Sequence, residues 1–344
     1  MHFGIISTAM ISAEFTQAIK NTKDADIAAV CSRSTKSAQI FIEENDLNAT
    51  AYDSVEEMCA DPKVDAVYVA SPNSLHTSHA LTAIHAGKHV VIEKPVAWNP
   101  TQWDQIWGAA QEADVLVFEA ARHVHEPAQR VIRDYLVGKK PKTVWLNYSQ
   151  YSSRWDAVEA GEEPNVFSLT TGGGALNDLG IYPVYDAVLW FGEPDGVKYF
   201  PTLAPTGVDA AGTLVLIYKD FNVVITVAKN AQSNAPSEIL VGKETLRLSS
   251  VQGIDRVVEY TSDSKETLYD SEVAVGSRSL HELMRYETKY FVKTITAKME
   301  GTLSNRKLEK YRSLTLLSRS VNEICANARY GAGIFFESEV HELY

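Results

Sequence analysis

Short apolar runs alternate with stretches of helical periodicity through the first third of the chain. The runs at residues 2–6, 27–31, 66–70, 89–92 and 115–118 read as strands. Between them, residues 10–20, 35–44, 54–60, 75–86 and 101–113 gather apolar side chains on one helical face. Local chemistry agrees with these limits. Ser54 and Glu57 have the spacing of a capping box, Pro100 stands at a helix start, and Gly87 follows a helix end. Strands that alternate with helices predict a parallel sheet covered on both faces, a doubly wound α/β domain.

The pattern changes near residue 120. A helix over about 126–137 leads to a long strand at 143–151 and then to an irregular stretch, 152–171, ending in Gly172-Gly173-Gly174. A helix should follow to about Trp190. Strand-like runs recur at 214–218, 223–227, 238–241, 246–248 and 257–260, with turn signals at Lys219-Asp220 and Gly242-Lys243. Such spacing predicts an antiparallel meander. Two helices, near 280–297 and 308–328, close the chain. The expected layout is a domain over residues 1–119 and an α+β domain over 120–344. The second has an open, mostly antiparallel sheet, and the last helix is free to pack back on the first domain.

The length of 344 residues suits two cores better than one. Lys and Arg number 32 against 44 Asp and Glu, a net charge of -12, which repels phosphate backbones and argues against nucleic-acid partners. It leaves room for a local basic pocket for one phosphate. The three cysteines, Cys31, Cys59 and Cys325, are too widely spaced to indicate a disulfide framework or a zinc cluster. The first residues hold no basic segment running into an apolar core, and no apolar stretch approaches membrane-spanning length. A cytoplasmic protein with no membrane partner is expected.

Candidate chemistry begins at the first turn, Gly4-Ile5-Ile6-Ser7-Thr8-Ala9-Met10-Ile11-Ser12. A dinucleotide site needs small residues between the first strand and its helix, so that the backbone can approach a pyrophosphate. Here Ser7, Ala9 and Ser12 replace the usual glycines, and an ordinary strand–helix turn would read the same way. The second strand ends Ser32-Arg33-Ser34 with no acid before Lys36. An acid there would bind the ribose 2′-hydroxyl of NAD, whereas an arginine pairs with the 2′-phosphate of NADP. NADP(H) is therefore the favoured cofactor, with NAD(H) a second choice; Arg33 as a plain surface residue is the bland alternative.

Lys94 follows the apolar run 89–92, at the carboxyl end of a parallel strand, where open α/β sheets bind ligands. Its ammonium would stabilise an oxyanion next to a nicotinamide, and the Lys94-Pro95 bond has the option of being cis. A lone lysine at such a place is usually a surface residue. Asp178 and Tyr182 stand four apart after the glycine run, on one face near a helix start. A phenol is a poor base at neutral pH unless a cation stands beside it, and Lys94, oriented by Asp178, would serve. Capping by Asp178 and packing by Tyr182 is the bland alternative. Tyr148, Tyr151, Arg154, Trp155 and Phe167 would clamp a sugar or cyclic diol, or merely cover the sheet. His76 with His79, and His123 with His125, have metal-ligand spacing but no third ligand, so no metal is expected.

Three blocks resemble the glucose–fructose oxidoreductase/inositol dehydrogenase (Gfo/Idh/MocA) family nearly end to end. They are Val67-Tyr68-Val69-Ala70-Ser71-Pro72-Asn73-Ser74-Leu75-His76, Ala86-Gly87-Lys88-His89-Val90-Val91-Ile92-Glu93-Lys94-Pro95, and Gly172 to Pro183. The resemblance implies a Rossmann first domain and a catalytic group of Lys94, Asp178 and Tyr182. Tyrosine at 182, where many members have histidine, looks like the dihydrodiol dehydrogenase branch, in which it serves as acid/base and NADP is preferred. The implied cofactor surface comprises Ser7, Thr8, Ala9, Met10, Ile11, Ser32, Arg33, Ser71, Pro72, Asn73, His76, Glu93, Lys94 and Arg122. Tyr151, Arg154, Trp155, Asp178 and Tyr182 would face the substrate. The segment Glu119-Ala120-Ala121-Arg122-His123-Val124 departs from that branch, with Val124 at the family's arginine position.

The implied activity is hydride transfer between NAD(P) and a secondary hydroxyl or carbonyl of a sugar, polyol or cyclic diol. A dinucleotide-binding regulator or sensor of the same fold is the alternative, and a lyase working through transient oxidation a third reading. The flat face of the second sheet predicts a homodimer or homotetramer.

Overall fold

The computed structural model describes residues 1–340. The chain divides into two units, Met1–Arg122 with Ser279–Arg319, and His123–Arg278 with the residues from Ser320 onward.

The first unit opens with β1 (His2–Ile6), α1 (Met10–Lys20), β2 (Asp26–Cys31), α2 (Thr35–Glu44), β3 (Thr50–Tyr52) and α3 (Val55–Ala60). It continues with β4 (Ala66–Val69), α4 (His76–His85), β5 (His89–Glu93), α5 (Pro100–Glu112) and β6 (Val117–Ala120). The strands form one parallel sheet in the order β3-β2-β1-β4-β5-β6, which reverses direction between β1 and β4. Every residue of β4 and β5 is buried, because helices cover both faces. Ser34, Ser54 and Asn99 cap α2, α3 and α5 through their side chains. The capping box expected at Ser54 is only half made: Ser54 accepts from the Glu57 amide, but its own hydroxyl goes to Glu56.

The second unit contains α6 (Pro127–Leu136), β7 (Thr143–Ser149), α7 (Trp155–Glu159) and α8 (Ile181–Phe191), the last preceded by one π turn, Leu176–Gly180. Its remaining strands are β8 (Gly196–Leu203), β9 (Asp209–Ile217), β10 (Asn222–Ala228), β11 (Ser237–Val241), β12 (Glu244–Leu248), β13 (Arg256–Tyr260) and β14 (Lys265–Asp270). Their order is β14-β13-β12-β11-β7-β10-β9-β8. The expected meander is therefore interrupted. β7, earlier in the chain, inserts between β10 and β11 and makes the one parallel pairing in the described sheet, with β10. The sheet is otherwise antiparallel, as expected.

After it come α9 (Leu280–Met299), α10 (Asn305–Gly331) and α11 (Glu337–Val340). Glu282 reaches back to the Ser279 amide to start α9. Met284, Phe291, Val292 and Ile295 of α9 join Phe3, Phe15, Tyr68 and Phe118 in one core. Phe118 and Phe291 lie 5.0 Å apart between ring centroids, and each such buried ring contributes about 2–3 kcal/mol by area alone.

Candidate active site

In the first unit the turn after β1 keeps the geometry of a glycine turn without glycine: Ser7 has φ of +95°. Its amide donates to Cys31 O, tying the turn to the end of β2. The helix that follows, α1, has Ala9 before it and no side-chain cap; the Ala9 amide donates to Ser7 Oγ and the Ser12 amide to Ala9 O, so the turn presents backbone rather than a capping side chain. Ser12 is fully buried and its hydroxyl has no hydrogen-bond partner. Arg33 is exposed just beyond the end of β2, while the Ser34 side chain is engaged in capping α2. An uncapped helix start beside a strand-order reversal, with a guanidinium at the next strand end, fits a dinucleotide phosphate chain.

Lys94 stands directly after the carboxyl end of β5, half-buried, and the Lys94-Pro95 peptide is cis. Glu93 beneath it is buried and takes the Tyr68 hydroxyl at 2.5 Å and the Lys94 amide at 3.3 Å. Burial raises the Glu93 pKa above the ordinary range, against the Tyr68 hydrogen bond and the nearby charges of Lys94 and Arg122. Arg122, expected at the cofactor surface, is 5% exposed, and its charge is among those felt by Glu93.

His76, also expected at the cofactor surface, is buried too. It is 1% exposed, with Nδ1 2.9 Å from Pro95 O and Nε2 2.8 Å from Ser71 O. Burial is the main influence and brings its pKa down to about 4, outweighing the two carbonyls. The ring is therefore neutral, and only one of the two contacts is a donated hydrogen bond. His76 braces the loop after β4 against the loop after β5 and leaves Pro72 and Asn73 at the surface. Among the described residues no cluster of three or more His, Cys, Asp or Glu could hold an ion.

In the second unit the expected helix after the glycine run begins with a π turn. Pro183 explains the widening: with the α-helix starting at Ile181, the proline lies in its first turn, where a missing N–H costs nothing. Two of the glycines let other parts of the chain come close. A Cβ on Gly173 would sit 2.7 Å from the Val166 backbone, and one on Gly174 2.1 Å from Asp209 Oδ1. Asp209, at the start of β9, accepts from the Leu176 amide at 2.6 Å and the Tyr199 hydroxyl at 2.5 Å, which fixes the start of the π turn.

Asp178 and Tyr182 both lie on this helical segment. Asp178 Oδ2 receives Lys229 Nζ at 2.7 Å. Sequence analysis missed Lys229. The signal was its register: Val223, Ile225 and Val227 of β10 point inward and are fully buried, and 229 continues that face. Tyr182 is 9% exposed; its ring packs at 4.8 Å from His123 and 5.6 Å from Tyr148, and its carbonyl lies 3.2 Å from His123 Nε2. Behind His123, Asp186 is fully buried, and burial holds its carboxyl far above the usual range.

Of the expected substrate clamp, Tyr151 and Arg154 are exposed, with Tyr151 bonded to Asp156. Trp155 and Phe167 are not surface groups; they form a core cluster with Val158 and Val208.

The first 121 residues match the family model described as "Oxidoreductase family, NAD-binding Rossmann fold". The chain is 32% identical to a scyllo-inositol 2-dehydrogenase (NADP(+)) of Bacillus subtilis, over 98% of this chain and 99% of that protein. It is 29% identical to a trans-1,2-dihydrobenzene-1,2-diol dehydrogenase of Danio rerio, over 71% and 72% of the two chains. Among solved structures, a 3-ketoreductase from Actinomadura kijaniata in complex with NADP superposes with a TM-score of 0.77 at 19% identity, over 96% of this chain and 97% of that one.

Proposed function

Since the chain belongs to the Gfo/Idh/MocA family of NAD(P)-dependent oxidoreductases, we propose that it moves a hydride between NADP(H) and a secondary hydroxyl or carbonyl carbon of a polyol, sugar or cyclic diol. NAD(H) is the second-choice cofactor. The substrate class rests on the inositol and dihydrobenzenediol relatives. The observation that carries the assignment is the place of Lys94, at the carboxyl end of β5 in a sheet whose order reverses between β1 and β4.

The turn from Ser7 to Ile11 holds the pyrophosphate through backbone amides, and Arg33 with Ser32 takes the 2′-phosphate. Pro72, Asn73 and Glu93 line the nicotinamide side, with His76 and Arg122 behind them. When bound, the nicotinamide supplies or accepts the hydride. Lys94 donates to the substrate oxygen and stabilises the charge that grows on it, Tyr182 takes or returns its proton, and Asp178 orients the donors.

Among the described residues no helix is long and apolar enough to cross a membrane. The three buried thiols suit the reducing cytoplasm we assign as the compartment. We assign the outer face of the second sheet to a homodimer or homotetramer contact, because Trp145 and Phe200 stand 48% and 63% exposed on it.

Titration with NADPH and NADH, followed by turnover of inositols and cyclic trans-diols, tests the reading. Arg33→Ala should lose about tenfold in NADPH affinity and none in NADH affinity. Lys94→Met should lower turnover by roughly 100-fold or more with NADPH binding kept. Full turnover in that variant overturns the mechanism.

A further inference from the structure

Lys229 is a buried cation that the mechanism above does not use. Its side chain is 3% exposed, whereas that of Asp178 is 35% exposed. The ammonium donates to Asp178 Oδ2 at 2.7 Å and to Val166 O at 3.1 Å, and lies 4.6 Å from the centroid of the Phe167 ring. Its backbone is held as firmly, since the Lys229 amide donates to Ala210 O and its carbonyl accepts from the Ser152 amide. Val166 is itself pinned, because the Gly174 amide donates to the same carbonyl and Gly173 packs against that backbone.

We propose that Lys229 is a positioning residue for the reaction: its buried ammonium, itself anchored on Val166 O, holds the Asp178 side chain in one orientation. This rests on Asp178 serving as proposed above. A lysine that only stabilised the 165–174 loop would have no need to end on the half-buried Asp178 carboxylate. Nor would one expect it to carry its charge on the inward face of β10, after Val223, Ile225 and Val227.

The test compares kcat, KM and NADPH affinity of the full chain with those of Lys229→Gln, which keeps a donor but not the charge, and Lys229→Arg, which keeps the charge. Lys229→Gln should lower kcat by about 30-fold or more while KM and NADPH affinity move less than about threefold. Lys229→Arg should recover most of that loss. In an Asp178→Asn background, Lys229→Gln should cost less than about threefold further, because there is no carboxylate left to orient. Near wild-type kcat in Lys229→Gln overturns the proposal, and so does an equal loss in the Asp178→Asn background. If Lys229→Gln does not fold, the arginine variant decides, and kcat at the Asp178→Asn level in folded Lys229→Arg counts against it. Wild-type protein that turns over no polyol, sugar or diol sinks the functional reading and this proposal together, whereas wild-type turnover with an indifferent Lys229 sinks the proposal alone.

Discussion

At the scale of single residues, Asp209 ties the glycine run to the second sheet. It carries the start of the π turn, and burial raises its pKa from the ordinary 3.8 to about 6. An acid with a raised folded pKa binds its proton more tightly folded than unfolded. Its contribution is complete below pH 4 and is lost as pH rises through about 6, a difference of about 3 kcal/mol. Urea unfolding at a series of pH values should show it. The stability of wild type relative to Asp209→Asn should fall by about 3 kcal/mol between pH 4 and 7, and a constant gap would clear Asp209 of this role. The proposed group of Lys94, Asp178 and Tyr182 was read from local motifs. Lys229 and Asp209 were not, because each acts through a strand far from Asp178 in sequence. His76 and Arg122 were placed in the right loops, but their burial came from tertiary packing that no local spacing records.

At the scale of elements, the helices Met10–Lys20 and Thr35–Glu44 match their sequence limits. The strands that sequence patterning missed share one trait. β3, β8 and β14 are all edge strands, and together they bury a single side chain, Tyr199. An edge strand is paired on one side only and needs little apolar signal, so hydrophobic periodicity is weakest there. Pro201 in β8 adds to the disguise. The β7–β10 pairing was equally hidden, since a parallel neighbour is set by topology rather than by turns. Along the outer face the register runs Lys198, Val215, Val224, Trp145 and Glu238, an apolar centre with a charge at each end. If this face joins two subunits, Trp145→Lys should convert the oligomer to a smaller species in light scattering or sedimentation, without loss of NADPH binding. An unchanged mass would place the contact elsewhere.

At the scale of the whole molecule, the two fold classes were legible from the switch in periodicity near residue 120, yet the first unit is not one stretch of chain. Ser279–Arg319 belongs to it, and α9 supplies Phe291 and Ile295 to the core built on Phe15 and Phe118. The nascent chain therefore makes the parallel sheet first and the helix that covers it last. At about 5–20 residues per second, the intervening segment occupies the ribosome for on the order of ten to thirty seconds. During that interval Phe15, Tyr68 and Phe118 lack one wall of their core and are open to chaperones or to misassembly. A fragment ending at Arg122 should accordingly aggregate or stay molten, while the same fragment joined by a flexible linker to 279–319 should melt cooperatively and retain NADPH. A soluble, cooperative 1–122 fragment would show that the wait is harmless. Vectorial synthesis thus sets a timing problem that the finished fold conceals: the parallel sheet is translated first, and the helix that completes its core follows only after the second sheet.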